Sequence, residues 1–339
     1  MFRSTDFYID LGTANTLIYA RRRGFLLNEP SVVALRQKSA GQPELFALGA
    51  PAKKMIGKAP ERLSVLRPLR EGVISDFDNT ARMLHAFLKR IKENVHWFRP
   101  RMLISLPCEV TRFERRAVEE VGFELGARTV SLLDEPVAAA VGAGLPVLSN
   151  RGQMVVDIGG GTTEIAVISL GGIVTSRAVR VGGDDIDEAI IALMRSKYHF
   201  VIGEQTAERI KMAVASAFAD EKDQRSIQVG GFDLLRGLPS KRTVDTRGIF
   251  PAIDSVVGGF AVTVRKALES CPPEIAADIA ESGITLAGGG AMLRGISDRL
   301  SHELGVKVQI ARDPLMSVAM GGAKALEDDR LFDALERPA

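Results

Sequence analysis

The residues best able to do chemistry lie in a motif that occurs twice in this chain of 339 residues. Residues 9–18 read IDLGTANTLI, residues 156–165 read VDIGGGTTEI, and the two segments align without a gap. In each segment, a predicted strand ends in an aspartate, turns through glycine and threonine, and returns as a second strand. Backbone N–H groups in such a turn converge on an anion, and glycine lets a phosphate approach closely. The duplication therefore predicts two related lobes that close on one polyphosphate.

Two aspartates at the strand ends, Asp10 and Asp157, are expected to face the same gap between the lobes. Hard carboxylates beside phosphates suit Mg²⁺, which keeps most of its water ligands. A pair of ordinary β-turns is the alternative, and the gapless duplicate favours phosphate binding over it. The residues predicted to contact phosphate are Gly12, Thr13, Ala14, Asn15 and Thr16 in the first turn and Gly159, Gly160, Gly161, Thr162 and Thr163 in the second.

A third glycine-rich turn, made of Gly288, Gly289 and Gly290, joins a predicted strand to a helix that begins near Met292. Bare backbone there lets a flat base or ribose lie against the chain. Alone, this signal is weak, because glycine-rich turns between a strand and a helix are common. Downstream of two phosphate turns, it is the expected nucleoside contact.

Three further segments each have two interpretations. Glu135 lies just before a predicted helix. A carboxylate there is either stabilised by the helix dipole or orients a water for attack on a phosphate. The two phosphate motifs elsewhere in the chain favour the second role. Glu208 and Lys211 share one helix face, and their spacing alone favours a solvent-exposed ion pair. Trp97 and Phe98 lie beside two arginines and suit a membrane interface or a core-packing loop equally well.

The elements that position these residues alternate between strand and helix in the first half, which indicates a largely parallel sheet with covering helices. In the second half, a hairpin is predicted across Gly230 and Gly231, and helices are predicted over residues 248–268 and 292–304. The polar segment after Leu326 is expected to fray.

Composition limits the function classes. With 44 basic and 42 acidic residues, the net charge is +2, which gives no global signal for nucleic acid or membrane. Two cysteines, Cys108 and Cys271, make neither a disulfide framework nor a metal set, and they suit a cytosolic location. No apolar run reaches the roughly 18–20 residues of a transmembrane helix.

Together, these motifs resemble those of the actin-like ATPases and, within them, of the bacterial MreB-type cell-shape proteins. The resemblance covers about residues 6–326. Residues 10–16 and 157–163 look like the family's two phosphate loops, and residues 286–295 look like its adenosine motif. The segments that match outside the superfamily signature are RPLREGVISD (67–76), EPVAAAVGAGLP (135–146) and GEQTAERIK (203–211).

The resemblance implies an α/β, actin-like ATPase fold in which two duplicated ribonuclease-H-like lobes, divided into four subdomains, surround a nucleotide cleft. The implied boundaries are residues 1–31, 66–145 and 317–339 for subdomain IA, 32–65 for IB, 146–181 and 244–316 for IIA, and 182–243 for IIB. The residue roles implied by position are Glu135 and Thr162 as a water-activating pair, Glu204, Glu208 and Lys211 as nucleoside contacts, and Trp97 and Phe98 on a membrane-inserting loop.

The resemblance also implies ATP or ADP with Mg²⁺ as ligands, slow ATP hydrolysis, and assembly into paired, antiparallel protofilaments. Such filaments lie in the cytoplasm on the inner face of the cell membrane and organise the cell-wall elongation machinery, without nucleic acid. Only three residues precede Ser4, so most apolar insertion is expected from the loop that carries Trp97 and Phe98.

Other functions share parts of this pattern. A small-molecule kinase of the same fold needs an aspartate base beside an acceptor hydroxyl, and no candidate stands out. A heat-shock chaperone needs a substrate-binding domain after the adenosine motif. A filament that positions plasmids or organelles is a nearer alternative, because it shares fold and chemistry, but the matches outside the ATP motifs argue against it.

Overall fold

The structure is a computed structural model that describes residues 5–37, 43–70, 72–92, 99–218 and 225–335. The elements of the first half are β1 (Phe7–Leu11), β2 (Asn15–Ala20), β3 (Gly24–Pro30), β4 (Val33–Arg36), β5 (Glu44–Leu48), α1 (Ala50–Lys53), β6 (Leu63–Leu66), β7 (Leu69–Arg70), β8 (Val73–Ile74), α2 (Phe77–Lys92), β9 (Arg101–Leu106), α3 (Arg112–Glu124), β10 (Thr129–Asp134) and α4 (Glu135–Gly142).

Strands and helices also make up the second half. Its elements are β11 (Gln153–Ile158), β12 (Thr163–Ser169), β13 (Gly172–Val179), α5 (Gly183–Tyr198), β14 (Phe200–Val201), α6 (Glu204–Val214), β15 (Ser226–Asp233), β16 (Leu238–Asp245), α7 (Thr246–Glu269), α8 (Pro273–Ser282), β17 (Ile284–Ala287), α9 (Ile296–Leu304), β18 (Val308–Ile310), α10 (Ser317–Glu327) and α11 (Asp329–Leu335).

Two sheets with the same topology define two lobes. The sheet of lobe I runs β3-β2-β1-β9-β10, and that of lobe II runs β13-β12-β11-β17-β18. In both, a three-stranded antiparallel meander continues into two strands that join in parallel. The predicted duplication is therefore confirmed. The expectation of a largely parallel sheet is wrong, because the hairpin of each duplicated motif and the strand after it pair in antiparallel fashion.

The strands that carry the two aspartates lie at the centre of their sheets and are buried along their whole length. Helices α4 and α10 pack together where the lobes meet. A Cβ on Gly142 would lie 1.8 Å from the carbonyl oxygen of Ser317, and a Cβ on Gly321 would lie 1.8 Å from that of Ala138. Only glycine permits this backbone approach. The close helix pair fixes the base of the gap between the lobes and the start of α4 at Glu135.

The predicted hairpin across Gly230 and Gly231 is wrong. Strand β15 runs straight through both glycines and pairs with β16, and the chain turns after Asp233 instead. A Cβ on Gly231 would lie 2.5 Å from the ring of Phe200, so this glycine serves close packing. A glycine inside a strand often marks such an approach and not a turn.

Of the two helices predicted in the second half, one is confirmed and the other begins later than predicted. The helix over 248–268 is confirmed as α7, which is long and apolar enough to cross a membrane by length and composition. Its residues Ile249, Ile253 and Val257 are nevertheless buried in the lobe II core. The helix predicted from Met292 begins later, at α9, because Gly295 adopts a left-handed conformation (φ 74°) just before it.

The expected frayed tail is also wrong as far as Leu335, because α11 docks against lobe I. Phe332 is buried beneath the guanidinium group of Arg101, which lies 4.2 Å from the ring centre. Asp329 pairs with Arg21 at 3.1 Å and with Arg101 at 3.5 Å. Apolar anchoring and these ion pairs explain why a highly charged segment is ordered.

Replacing Phe332 by alanine should lower the free energy of unfolding by about 3 kcal/mol, because it empties a buried site and removes the surface on which Arg101 stacks. Chemical denaturation measures the change, and Arg330→Ala on the exposed side of α11 is the control. Equal stability of the two variants would mean that α11 contributes no more than a frayed tail.

Candidate functional site

The first turn is held from three sides. Asp10 is buried near the end of β1, and its Oδ1 accepts a hydrogen bond from Ser105 Oγ at 3.1 Å. A Cβ on Gly12 would lie 2.7 Å from the carbonyl oxygen of Asn15, so the turn requires glycine there. Thr13 Oγ1 accepts a hydrogen bond from the backbone N–H of Gly72 at 2.9 Å. Lobe I thus fixes this turn before any ligand arrives.

The second turn, between β11 and β12, meets the first one across the gap. Its carbonyl groups at Gly159 and Gly160 accept hydrogen bonds from the first N–H groups of α5. A Cβ on Gly160 would lie 3.2 Å from the Cβ of Ala14. The turns predicted from the duplicated motif therefore lie in contact, one from each lobe. Thr162 is partly exposed beside them, and its methyl group lies next to Gly72.

Three predicted phosphate contacts have partners inside their own lobe. Thr16 is fully buried, and its hydroxyl lies 2.9 Å from Ser31 Oγ. The Thr163 hydroxyl is also buried and donates to the carbonyl oxygen of Val181 at 2.8 Å. The side-chain amide of Asn15 donates to Asn28 at 3.2 Å. Phosphate contact by these side chains stays a prediction.

Below the turns, carboxyl groups from both lobes converge. Burial is the largest cause of their shifted acidities and raises the pKa of Asp10 to about 6, that of Asp157 to about 7 and that of Glu164 to about 8. Glu135, at the start of α4, is partly exposed by surface area. Its pKa is raised well above the ordinary value by desolvation and then by the neighbouring Glu164, Asp10 and Asp157.

Glu164 is the member of this carboxylate cluster that sequence reasoning missed. It lies directly opposite Asp157 in the ladder between β11 and β12, so the two side chains share a face of the sheet. Only 1% of Glu164 is exposed, and its Oε2 accepts a hydrogen bond from the backbone N–H of Cys108 at 3.3 Å. The sequence could have revealed Glu164, because counting residue pairs outward from the turn of the hairpin places it opposite Asp157.

The donor set of this cluster fits a hard cation. Asp157 Oδ1 is buried and has no hydrogen-bond partner among the residues that the structure describes. Within the same described ranges, no group of three or more histidine, cysteine or acidic side chains is arranged to enclose a metal ion. Mg²⁺ commonly binds through one or two carboxylates, with phosphate oxygens and waters as the remaining ligands. Asp10 and Asp157 suit that mode.

The third glycine-rich turn packs on the end of β11. Gly288 has a φ of 78°, and a Cβ there would lie 2.4 Å from Asp157 Oδ1. A Cβ on Gly290 would lie 2.1 Å from the side chain of Ile158, so glycine is required at both positions. Met292, two residues after Gly290, is 60% exposed. The structure thus brings the predicted nucleoside turn next to the second phosphate turn.

A cavity of about 440 Å³ opens between the lobes beside the two turns, within the size range of ligand pockets. The predicted site residues in its wall are Thr13, Ala14, Gly161, Glu204 and Glu208. Among the described residues, Asp10, Glu135, Asp157, Lys211 and the third glycine turn lie outside that wall. Trp97 and Phe98 fall outside the described residues.

Residues of α6 engage other parts of the protein. Glu208 Oε1 lies 2.8 Å from Lys53 Nζ, and Glu204 lies 3.5 Å from the guanidinium group of Arg67. Lys211 Nζ donates to Asp187 and to a backbone carbonyl group, each at 2.7 Å. The exposed ion pair that the spacing of Glu208 and Lys211 favoured is therefore wrong, because each of the two residues pairs with a partner from elsewhere in the chain.

Comparison with known proteins decides the family. The family model described as MreB/Mbl protein matches residues 4–333. The chain belongs to the MreB/Mbl family. It is 50% identical over 327 residues to the cell shape-determining protein MreB of Escherichia coli strain K12, covering 96% of this chain and 94% of that protein.

Solved structures support the same assignment. MreB5 of Spiroplasma citri bound to AMPPNP superimposes with a TM-score of 0.92 at 34% identity, covering 98% of both chains. The ADP-bound form gives 0.91 at 35% identity, covering 97% of this chain and 98% of that one. A MamK double helical filament gives 0.78 at 20% identity, covering 96% and 99%, and shows the fold alone. The actin-like fold implied by the motifs is therefore confirmed.

The raised carboxyl pKa values predict how stability depends on pH. Because the folded state raises the pKa of Asp157 from 3.8 to about 7, it binds this proton more tightly than the unfolded chain, and stability is lost as pH rises through that window. Asp157→Asn should therefore stabilise the nucleotide-free protein by on the order of 2 kcal/mol near pH 8, with a smaller gain near pH 5.

Chemical denaturation at both pH values checks this prediction, with Asp333→Asn on the exposed side of α11 as the control. A variant that is less stable than the wild type near pH 8 would contradict the assignment of Asp157 to a buried, desolvated position.

Proposed function

We propose that this chain is an ATP-dependent, filament-forming actin homologue that takes part in determining cell shape. The observation that carries the proposal is the contact of the two duplicated turns, Ala14 against Gly160, beside a buried carboxylate cluster contributed by both lobes. Support comes from E. coli MreB, which is named for cell-shape determination, and from MreB5 of Spiroplasma citri, whose structures hold ADP or AMPPNP.

In this proposal, the two turns bind the phosphates of ATP or ADP, and the third glycine turn carries the nucleoside. Backbone N–H groups supply most of the contact, because several nearby hydroxyls already have partners. Asp10 and Asp157 hold Mg²⁺, which neutralises phosphate charge when it is bound. Met292, Glu204, Glu208 and Lys211 belong to the nucleoside end.

Glu135 and Thr162 are the proposed water-orienting pair. Glu135 is partly exposed at the start of α4, which the close contact with α10 holds in place. Its carboxyl group accepts a hydrogen bond from the attacking water, and the walls of the cleft exclude other water. Thr162, in the second turn, fixes the other side of that water. Hydrolysis is slow and times filament assembly and disassembly.

The proposed subdomains follow the boundaries implied by the resemblance. With these boundaries, subdomain IB contains most of the small sheet β5-β4-β6, and subdomain IIB contains most of the small sheet β14-β15-β16. Self-association gives paired, antiparallel protofilaments on the inner face of the cytoplasmic membrane, where they organise the cell-wall elongation machinery. The loop with Trp97 and Phe98 supplies apolar insertion into the lipid.

Glu135→Ala should keep the affinity for ATP within about threefold while slowing phosphate release by roughly a hundredfold or more, because it removes the water's acceptor and leaves the phosphate turns intact. Titration with a fluorescent ATP analogue measures affinity, and a phosphate-release assay measures turnover. Glu124→Ala, an exposed change on α3, is the control. Wild-type turnover in Glu135→Ala would remove this residue from the mechanism.

Trp97→Ala combined with Phe98→Ala should weaken co-sedimentation with anionic lipid vesicles, because it removes apolar side chains that insert at the interface. Filaments should still form in solution. Met212→Ala removes another exposed apolar side chain, on α6, and serves as the control. Equal lipid binding by the double variant and the wild type would place the membrane contact elsewhere.

A further inference from the structure

A neutral side chain joins the two lobes at the mouth of the cavity. Gln205, on α6 of lobe II, reaches the turn that follows α1 in lobe I. Its Nε2 donates to the carbonyl oxygen of Lys53 at 2.9 Å and to that of Ile56 at 3.2 Å. Carbonyl groups at the C-terminal end of a helix lack intrahelical partners. One lobe therefore supplies the C-terminal cap for a helix of the other.

Charged pairs flank this cap, with the bases on lobe I and the acids on lobe II. The inter-lobe pairs are Lys53 with Glu208 at 2.8 Å, Arg67 with Asp184 at 3.3 Å, and Arg67 with Glu204 at 3.5 Å. Their side chains are between 26% and 59% exposed, so water and salt screen them. These opposite charges attract the two lobes to each other, but they do not fix one relative position of the lobes.

Gln205 differs from these pairs because its two acceptors are backbone atoms in a fixed turn. Two hydrogen bonds from one planar amide define a single relative position of α6 and α1. The amide itself is uncharged, and its one contact with a charged group is a long one, from Lys58 Nζ to its Oε1 at 3.5 Å. The contribution of Gln205 therefore depends less on ionic strength than that of the ion pairs. When the lobes separate, both partners are hydrated again, which makes the contact reversible.

We propose that Gln205 is a positioning residue that holds the lobes closed over a bound nucleotide and thereby sets how slowly the nucleotide leaves. The inference rests on the proposed nucleotide-binding function. Glu204, Gln205 and Glu208 all line the cavity from one helix, so a ligand that contacts α6 also contacts the helix that positions Gln205. Closure and occupancy are coupled through this helix.

The test begins with the wild type and a fluorescent ATP analogue with Mg²⁺. A failure to bind at equilibrium would overturn the proposed function itself. Given binding, Gln205→Met keeps the length of the side chain and removes both donors. Stopped-flow chase should then show dissociation faster by roughly ten- to a hundredfold, the equivalent of two ordinary hydrogen bonds, with little change in the association rate.

Two controls separate positioning from a general loss of structure. Gln228→Met, an exposed change on β15, should leave the dissociation rate at the wild-type value. The melting temperature of nucleotide-free Gln205→Met should match that of the wild type, because the contact lies between the lobes and not in either core. Raising the salt concentration should weaken the effect of Lys53→Ala on the dissociation rate more than it weakens that of Gln205→Met.

The proposal is overturned if Gln205→Met releases nucleotide at the wild-type rate while equilibrium binding persists. It is also overturned if faster release is accompanied by a lowered melting temperature of the nucleotide-free protein, because the side chain would then stabilise the fold and not the closed arrangement. Faster release with unchanged melting supports it.

Discussion

Carboxyl groups from two lobes meet in one buried place, and the fold must hold them there against desolvation and mutual repulsion. Asp10 and Glu135 come from lobe I, and Asp157 and Glu164 come from lobe II. Burial raises the pKa of each, so negative charge is less favourable at this site without a ligand than it is in water. In the proposed function, a cation and the N–H donors of the two turns reverse that preference. The site is therefore unfavourable when empty and built for a ligand that brings positive charge with its phosphates.

The rest of the architecture follows from this constraint. Fully buried central strands deliver the two aspartates, and glycine at Gly142 and Gly321 lets α4 and α10 cross at backbone contact. That base is tightly packed, whereas the mouth is joined by exposed ion pairs and by the amide of Gln205. Packed contacts of this kind resist separation more than solvated polar ones. The contrast favours opening of the cleft by rotation about its base.

The duplicated motif predicts much of this arrangement, because a turn that binds phosphate needs specific residues at adjacent positions. Features that depend on distant partners escape such reasoning. Gly231 looks like a turn but accommodates Phe200, and Asp329 looks like part of a frayed tail but pairs with Arg21, more than 300 residues away along the chain. Glu164 becomes visible only through its register with Asp157. The acceptors of Gln205 lie in the other lobe, and no local sequence pattern predicts them.

In the proposed function, nucleotide held between the duplicated turns drives self-assembly. Negative-stain electron microscopy of the purified protein, with and without Mg-ATP and in the presence of lipid vesicles, tests it most directly. We expect paired filaments that depend on Mg-ATP and lie on the vesicle surface. Monodisperse particles under every condition would contradict it and would favour a small-molecule kinase of the same fold.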